Sequence, residues 1–525
     1  MKHHPVIHPF LFAIYPVLAI LAASLSFLDP IQAIRPLIVY ILVTTIIFLF
    51  FRWIFKDWHR AGFISSMVIF MLFYYGYSYR LPREIHFLNI TISRHLLILC
   101  FWIVFLITLA SKWLWIRVRP QIITNFLNIS SGIALLYAIY LLAAFWFTAS
   151  KDPLSNWSRP PNLSEDTIKL NQTYRPDIYY VILDGYAGSD VLQKIYNYDN
   201  TDFINALKLR GFYIAESSHS NYGETQLSLA SSLNFEYLDY LSFAGGLSTS
   251  RYPLGNLIIN SRIRSWLENA GYRIYLSGEY LFAEIYDPAL VFFSTEKKRL
   301  STFESLLLES TILEIMFEEG DVNISTYTYQ THREKILDGF AEVQNLIRKP
   351  RPKFVFVHII APHPPFVFDK NGDPIQPDWE YTIFDAMKFA GGKEEYIEGY
   401  RGQVMYINQL VIDMVNQILL NSSTPPIIIL QADHGPAVLM GSSLENSCLK
   451  ERFSILNAIY LPDDKLDILY SSITPVNTFR VIFNTYFGTQ LEPLPDKNYY
   501  SFGDRYRFID VTNQVDIPCD LSEQP

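Results

Sequence analysis

The stretch "IIILQADHGPAVL" at residues 427–439 reads as a buried strand that ends at a functional site. It begins with a short apolar run, which is typical of a strand covered on both faces. After Gln431 and Ala432 come Asp433 and His434, and Gly435 follows them. Because carboxylate and imidazole groups are both metal ligands, this strand end predicts the edge of a metal site.

Comparable apolar runs recur after residue 176 and alternate with amphipathic segments. This alternation predicts an α/β domain with a mostly parallel sheet covered by helices on both faces. In such sheets, ligands bind beyond the carboxyl ends of the strands. The other predicted strands are "DIYYVILDG" (177–185), "FYIAES" (212–217), "YRIYLSG" (272–278), "KFVFVHII" (353–360) and "SILNAIYLP" (454–462).

Two of these strands also end in residues that suit metal or substrate binding. Asp184 follows the first strand, His358 lies at the end of the fourth, and His363 follows in "PHPPF". A single Asp after a strand is more often a turn or capping residue. Together with Asp433 and His434, however, these strand ends predict a site of oxygen and nitrogen ligands that suits Zn²⁺ or Mn²⁺.

A candidate nucleophile lies in the hydroxyl-rich stretch "SHSNYGETQLSLASSLNFEYL" (218–238). Thr225 opens a predicted helix there, where free backbone N–H groups favour an anionic group. A nearby metal would lower the pKa of its hydroxyl and make it nucleophilic. The alternatives are an ordinary helix-capping role for Thr225, or Ser228 as the nucleophile.

The first 150 residues form apolar runs of about the length that an α-helix needs to cross a membrane. The distribution of Lys and Arg in the loops favours a cytoplasmic N-terminus, which places the chain after residue 150 outside the cytoplasm. We therefore predict a transmembrane domain (1–150), a Pro- and Ser-rich linker (151–175) and an extracytoplasmic catalytic domain (176–525). The five predicted spans are 9–28, 36–55, 62–79, 95–116 and 130–147.

The net charge and the cysteines indicate which class of ligand is excluded and which disulfide bond could form. The net charge of −9 offers no basic surface for nucleic acid. Cys100 lies in the fourth predicted span. Cys448 and Cys519 either pair in an oxidising compartment or remain as two buried thiols.

The motifs "DIYYVILDG", a loop hydroxyl, "HIIAPHPPF" and "ADHG", in this order, resemble the alkaline phosphatase/sulfatase superfamily. Spans ahead of an outer domain resemble, more narrowly, the lipoteichoic acid synthases and phosphoethanolamine transferases. The resemblance implies that one divalent metal ion, Zn²⁺ or Mn²⁺, is bound by Asp184, Thr225, Asp433 and His434. It also implies that Thr225 is the nucleophile and that His363 contacts the phosphoryl group or the acceptor.

Three departures refine the resemblance. The nucleophile loop lacks the C/S-x-P-x-R motif of sulfatases, which argues against sulfate esters as substrates. No His has an Asp four residues before it, so one metal ion is expected rather than two. The lipoteichoic acid synthases carry Glu where this chain has Asp184.

We therefore expect a multi-pass membrane enzyme of the cell envelope. It would transfer a phosphoryl-linked headgroup, such as phosphoglycerol or phosphoethanolamine, from a membrane lipid to a glycan, lipid or water through a phospho-threonine. The alternatives are a membrane-anchored phosphodiesterase, phosphatase or sulfatase-like hydrolase, or an inactive scaffold with the same fold. The scaffold would be expected to have lost a ligand, yet all four positions hold competent side chains. A transporter is disfavoured because the spans carry no intramembrane acidic pair.

Overall fold

The computed structural model divides the chain into two compact units. One comprises Met1–Lys151 and Lys298–Thr326, and the other comprises Asp152–Lys297 and Tyr327–Pro525. Most of the predicted linker at 151–175 lies outside the described residues. The residues that the structure describes are 5–24, 30–75, 84–87, 90–110, 119–151, 154, 175–245, 248, 250–277, 291–292, 302–311, 329–377, 379, 385, 388–501 and 503–519.

Each of the five predicted spans overlaps a helix of the first unit. Within the described residues, Pro30–Phe55 and Pro120–Thr148 are long and apolar enough to cross a membrane, whereas His8–Ala23 and Trp58–Phe73 are shorter apolar helices. The count of five spans therefore stays a prediction. The helices are α1 (His8–Ser24), α2 (Ile34–Phe55), α3 (Trp58–Tyr74), α4 (Arg94–Ala110) and α5 (Pro120–Lys151), with the hairpin strands β1 (Glu84–Phe87) and β2 (Ile90–Ser93) between α3 and α4.

A segment from later in the chain also belongs to the first unit. Helix α12 (Thr302–Glu309) packs against α1 and against the 3-10 turn Pro30–Ala33 that precedes α2. Its Phe303 is fully buried there, and its Glu304 carboxylate lies 3.3 Å from Arg35 Nε. The predicted boundaries at 1–150, 151–175 and 176–525 stay a prediction, and α12 is an element of the first unit that comes from within residues 176–525.

The second unit is built on a seven-stranded sheet with the order β4-β9-β8-β3-β7-β5-β6. Strands β8, β3, β7, β5 and β6 run parallel, but β9 runs antiparallel to both β8 and β4. The sheet is therefore mostly parallel, as predicted, and it is mixed because β9 runs opposite to the other six strands. The strands are β3 (Ile178–Leu183), β4 (Tyr213–Ile214), β5 (Arg273–Ser277), β6 (Val291–Phe292), β7 (Lys353–Ile359), β8 (Ile427–Gln431) and β9 (Asn457–Tyr460), followed by a separate pair, β10 (Tyr499–Tyr500) and β11 (Ile509–Asp510).

Helices cover both faces of this sheet, as predicted. Alternate residues of the central strands face opposite cores: Tyr180 and Phe356 pack on one side, and Tyr179 and Val355 pack on the other. The helices are α6 (Ser189–Lys194), α7 (Thr201–Lys208), α8 (Thr225–Ser232), α9 (Asp239–Gly245), α10 (Tyr252–Ile259), α11 (Arg262–Asn269), α13 (Tyr329–Ile347), α14 (Lys393–Asn421), α15 (Leu449–Phe453) and α16 (Pro475–Phe487).

The cysteines resolve the alternative that the sequence left open. Cys448 and Cys519 form a disulfide bond, and Cys100 is a free thiol. Cys448 is also the N-cap residue of α15, because its sulfur accepts the backbone N–H of Glu451. The disulfide therefore joins the C-terminal segment of the chain to the start of α15.

Candidate metal centre

The four predicted ligands meet beyond the carboxyl ends of the central strands. Asp184 directly follows β3, Asp433 and His434 follow β8, and Thr225 is the first residue of α8. The Nε2 atom of His434 lies 3.0 Å from Thr225 Oγ1, 3.3 Å from an Asp433 carboxylate oxygen and 3.7 Å from an Asp184 carboxylate oxygen. The structure thus brings all four side chains to one point.

This arrangement has the dimensions of a metal site. Ligands about 2.1 Å from a tetrahedral Zn²⁺ lie about 3.4 Å from one another, and the three distances above fall on either side of that value. Asp184 Oδ1 and Asp433 Oδ2 are buried, and neither accepts a hydrogen bond within the described part of the chain. Because unpaired buried carboxylate oxygens are costly, a divalent cation fits this donor set.

His434 is oriented as a ligand by its backbone surroundings. Its Nδ1 donates a hydrogen bond to the carbonyl of Gly435 at 2.9 Å, which leaves the lone pair of Nε2 facing the carboxylates. Burial and the positive charge of Arg452 lower the pKa of His434, which favours the neutral imidazole that binds metals. A Cβ at Gly435 would lie 2.0 Å from the carbonyl oxygen of Glu451, so only glycine fits there.

Asp184 is surrounded by histidines. Burial alone would raise the pKa of its carboxyl group, but the charges of His363, His358 and His434 outweigh burial and lower that pKa. His358 Nε2 lies 3.0 Å from Asp184 Oδ2. The pKa of His358 is raised because its interactions with Asp184 outweigh the effect of burial. His358 is thus a partner of a predicted ligand, as its place at a strand end indicated.

The position of Thr225 distinguishes it from the alternative nucleophile. Thr225 is half-buried at the N-terminal end of α8, beside His434, whereas Ser228 is buried one turn along the helix. Glu224, which precedes Thr225, has an extended backbone, so the helix begins at the predicted nucleophile, Thr225. The free N–H groups of the first turn lie at this end of the helix.

His363 lies at the edge of the same cluster. Its ring centroid is 6.4 Å from that of His434, and its backbone N–H donates to the carbonyl of Asp184 at 3.0 Å. Its Nδ1 bonds to the carbonyl of Pro364, and its Nε2 lies 3.8 Å from Asp385 Oδ2. The His363 ring is thus fixed beside the metal ligands with one nitrogen facing a carboxylate.

The sequence did not indicate Asp385 or Arg452 as parts of this site. The Asp385 carboxylate accepts a hydrogen bond from Tyr396 Oη at 2.7 Å and lies 3.2 Å from Arg452 Nη1. Asp385 comes from an irregular segment and Arg452 from the five-residue helix α15. Neither position follows an apolar strand, which was the signal that identified the ligands.

A family model and several solved structures match this chain. The model of the family described as Sulfatase matches residues 176–480. No curated protein matches the chain. Among solved structures, the C-terminal periplasmic domain of EcEptC from Escherichia coli has 13% identity and a TM-score of 0.40, covering 65% of this chain and 94% of that domain. The lipooligosaccharide phosphoethanolamine transferase A (EptA) from Neisseria meningitidis has 10% identity and a TM-score of 0.38, covering 91% of this chain and 95% of that protein. A putative sulfatase from Bacteroides thetaiotaomicron has 12% identity and a TM-score of 0.37, covering 63% of this chain and 79% of that chain.

Proposed function

This chain belongs to the sulfatase family, and from that premise we propose that it transfers a phosphoryl-linked headgroup from a membrane lipid to an acceptor. Family membership makes it a sulfatase-like hydrolase or transferase, in agreement with the resemblance to the alkaline phosphatase/sulfatase superfamily. The observation that carries the proposal is the 3.0 Å separation of Thr225 Oγ1 from His434 Nε2, because it supports a hydroxyl next to a candidate metal ligand. A phosphoryl group is the substrate class that such a hydroxyl can attack and carry.

The ligands would be Asp184, Thr225, Asp433 and His434, holding one Zn²⁺ or Mn²⁺ ion. Two carboxylates, one hydroxyl and one imidazole suit either metal. When bound, the cation supplies positive charge that lowers the pKa of the Thr225 hydroxyl and neutralises the phosphoryl oxygens. The buried, unpaired oxygens of Asp184 and Asp433 support this assignment.

The hydroxyl proton of Thr225 is first released to solvent, and in the first step the resulting alkoxide attacks the phosphorus atom of the lipid phosphodiester. The new Oγ1–P bond forms as the bond from phosphorus to the lipid alcohol breaks. The departing lipid oxygen takes a proton from His363 Nε2. The products are a diacylglycerol-type alcohol and a phospho-threonine that carries the headgroup.

In the second step, an acceptor hydroxyl attacks the phospho-threonine in line. His363 Nε2 takes the acceptor proton, and Thr225 departs as the alkoxide. The bond from Nδ1 to the Pro364 carbonyl leaves the lone pair of Nε2 free to accept it. The carboxylate of Asp385, 3.8 Å from Nε2, then stabilises the imidazolium charge.

The N-terminal helices would hold the catalytic domain at the membrane that contains its lipid substrate. A lipid donor lies in the same membrane as the anchor, so the site and the headgroup meet without diffusion through bulk water. We propose a multi-pass cell-membrane protein whose catalytic domain (176–525) is extracytoplasmic and whose acceptor is a glycan, a lipid or water. The disulfide between Cys448 and Cys519 supports an oxidising compartment outside the cytoplasm.

Trapping the phospho-threonine tests the proposal. The full chain in detergent micelles is incubated with phosphatidylglycerol or phosphatidylethanolamine, and the peptide containing Thr225 is examined by mass spectrometry. We expect a mass increase equal to the phospho-headgroup on Thr225, loss of the adduct and of turnover in Thr225→Ala, and retention of both in Ser228→Ala. Full turnover by Thr225→Ala would overturn the proposal. Incubating the adduct in buffer, with and without a glycan acceptor, then distinguishes hydrolysis from transfer of the headgroup to the glycan.

A further inference from the structure

We propose that Arg452 is a positioning residue that holds the nucleophile loop, the His434 strand end and the Asp385 carboxylate in one arrangement. The proposal rests on the metal site described above and adds a residue that neither binds the cation nor touches the substrate. Arg452 lies in α15, and its side chain is only 7% exposed. Its guanidinium group reaches three segments that are distant from one another in the chain.

The first contact fixes the approach to the nucleophile. Arg452 Nε donates a hydrogen bond to the carbonyl of Gly223 at 2.8 Å. Gly223 precedes Thr225 by two residues, and a Cβ there would lie 3.5 Å from Arg452 Cγ, so the backbone passes closely over the arginine. The turn that leads into α8 is therefore held by a charge-assisted hydrogen bond.

The second contact acts on the imidazole ligand. Arg452 Nη1 donates to the carbonyl of Gly435 at 2.9 Å, and the same carbonyl accepts the Nδ1 proton of His434. The direction of that carbonyl sets the orientation of the imidazole ring and hence the aim of Nε2. Hydrogen bonds behind a ligating histidine are known to tune metal binding in this way.

The third contact is with Asp385, the carboxylate that faces the proposed proton-transfer residue His363. Arg452 Nη1 lies 3.2 Å from Asp385 Oδ2, the same oxygen that lies 3.8 Å from His363 Nε2. The guanidinium charge balances a carboxylate that is itself largely buried. Loss of this cation would remove one positive charge from beside Asp385 and would weaken the positioning of its carboxylate next to His363.

The three acceptors explain why arginine rather than lysine is needed. A planar guanidinium presents several N–H donors in a fixed fork, whereas a lysine ammonium is a single point charge on a flexible stem. Helix α15 also fixes the base of the side chain, because Glu451 accepts the N–H groups of Val438 and Leu439. We therefore expect Arg452→Lys to lose most of the effect of Arg452.

Metal affinity tests this role without relying on turnover. Zn²⁺ binding to the full chain in micelles is measured by competition with a chromogenic chelator. Arg452→Lys and Arg452→Gln should bind Zn²⁺ about 10–100-fold more weakly than the original chain, which is the range for loss of a group behind a metal ligand. The turnover number should fall as well, with a smaller change in KM.

Arg264 provides a matched control. It is similarly buried, donates to the carbonyl of Ile259 at 3.0 Å and lies 3.0 Å from Glu268 in α11. Arg264→Gln should lower the thermal midpoint but leave Zn²⁺ affinity unchanged. Adding guanidinium ion at low millimolar concentration to Arg452→Ala should restore part of the lost Zn²⁺ affinity, which a variant that had merely unfolded would not show.

The outcomes separate this inference from the proposed function. If Asp433→Ala loses Zn²⁺ while the Arg452 variants bind it with the original affinity, only the role of Arg452 is overturned. Equal losses of affinity in Arg264→Gln and Arg452→Gln would also overturn it. If Asp433→Ala binds Zn²⁺ normally, the metal site itself is wrong, and the proposed function falls with it.

Discussion

Removing the disulfide between Cys448 and Cys519 should destabilise the second unit by an amount that follows from the chain it closes. The two cysteines are 71 residues apart in sequence. In the loop-entropy treatment, a cross-link of this length stabilises the folded state by about 4 kcal/mol at 25 °C. With the unfolding entropy typical of a unit of this size, that loss corresponds to a fall of roughly 6 °C in the melting temperature.

The effect should also reach the metal site. Cys448 caps the N-terminal end of α15, the helix that carries Arg452. Without the disulfide bond, this end of the helix is held less firmly. Phe453 still packs with Val511 and Val515 in a small apolar cluster, and this cluster limits the displacement. We therefore expect Zn²⁺ affinity to fall by less than it does in the Arg452 variants.

Thermal unfolding of the full chain in micelles measures the predicted loss. A variant with both Cys448→Ser and Cys519→Ser is compared with Cys100→Ser, which removes the free thiol and leaves the cross-link intact. Mild reductant should lower the melting temperature of the original chain and of Cys100→Ser, but not that of the double variant. If the double variant melts together with Cys100→Ser, the cross-link contributes nothing and the reasoning is refuted.

Four further substitutions test separate parts of the structure. Gly435→Ala should abolish tight Zn²⁺ binding and destabilise the fold by about 2 kcal/mol, because the new Cβ would lie 2.0 Å from a backbone carbonyl; chelator competition and thermal unfolding measure both effects. His363→Ala should lower the turnover number by about 10²–10⁴-fold and leave Zn²⁺ affinity near that of the original chain, so an equal loss of affinity would contradict a proton-transfer role. Burial raises the pKa of the Glu451 carboxyl group to about 7 from the ordinary 4.5. The stability that this group contributes is therefore present below pH 4.5 and is lost as the pH rises through 7. Denaturant unfolding of Glu451→Gln should show a smaller dependence of the unfolding free energy on pH between these two values. Lys353→Met should cost about 3 kcal/mol in denaturant unfolding, because the buried Lys353 ammonium lies 2.6 Å from the carboxylate of Asp177, and an unchanged midpoint would contradict this value.

The local pattern of the sequence predicted six of the seven strands of the sheet and the long helices of the second unit, but not β6 or the direction of every strand. The run "SILNAIYLP" has the same composition whichever way it lies in the sheet. Its direction depends on the connection from β8, which contains only the five-residue helix α15 instead of a crossover helix. The connection from Ala432 to Leu456 is also long enough for a crossover to a parallel strand, so neither the run nor the length of the connection fixed the direction of β9 in the sequence.

The meeting of three candidate ligands at one edge of the sheet could be predicted because the topology places them there. Asp184 follows β3 directly, and Asp433 and His434 lie within three residues of the end of β8, so the parallel pairing of these two strands carries them to one edge. Arg452 and Asp385 act through backbone carbonyls and through each other, and such contacts leave no pattern in the sequence. Arg452 and Asp385 were identified only from their contacts in the structure.

In the N-terminal region too, the sequence predicted local elements but not their long-range packing. Its apolar runs predicted the positions of the helices, since each run overlaps one. The packing of α12 against α1 could not be predicted, because "TFESLLLE" resembles any amphipathic surface helix. The burial of Phe303 and Leu307 in this unit depends on a partner far away in the sequence.

The claim that one divalent cation is held by Asp184, Thr225, Asp433 and His434 is tested most directly by anomalous scattering from crystals grown with Zn²⁺ or Mn²⁺. The account predicts a single strong peak about 2.0–2.2 Å from a donor atom of each of these four side chains. A peak centred on other residues, or no peak at this strand edge in crystals that hold the metal elsewhere, would contradict it.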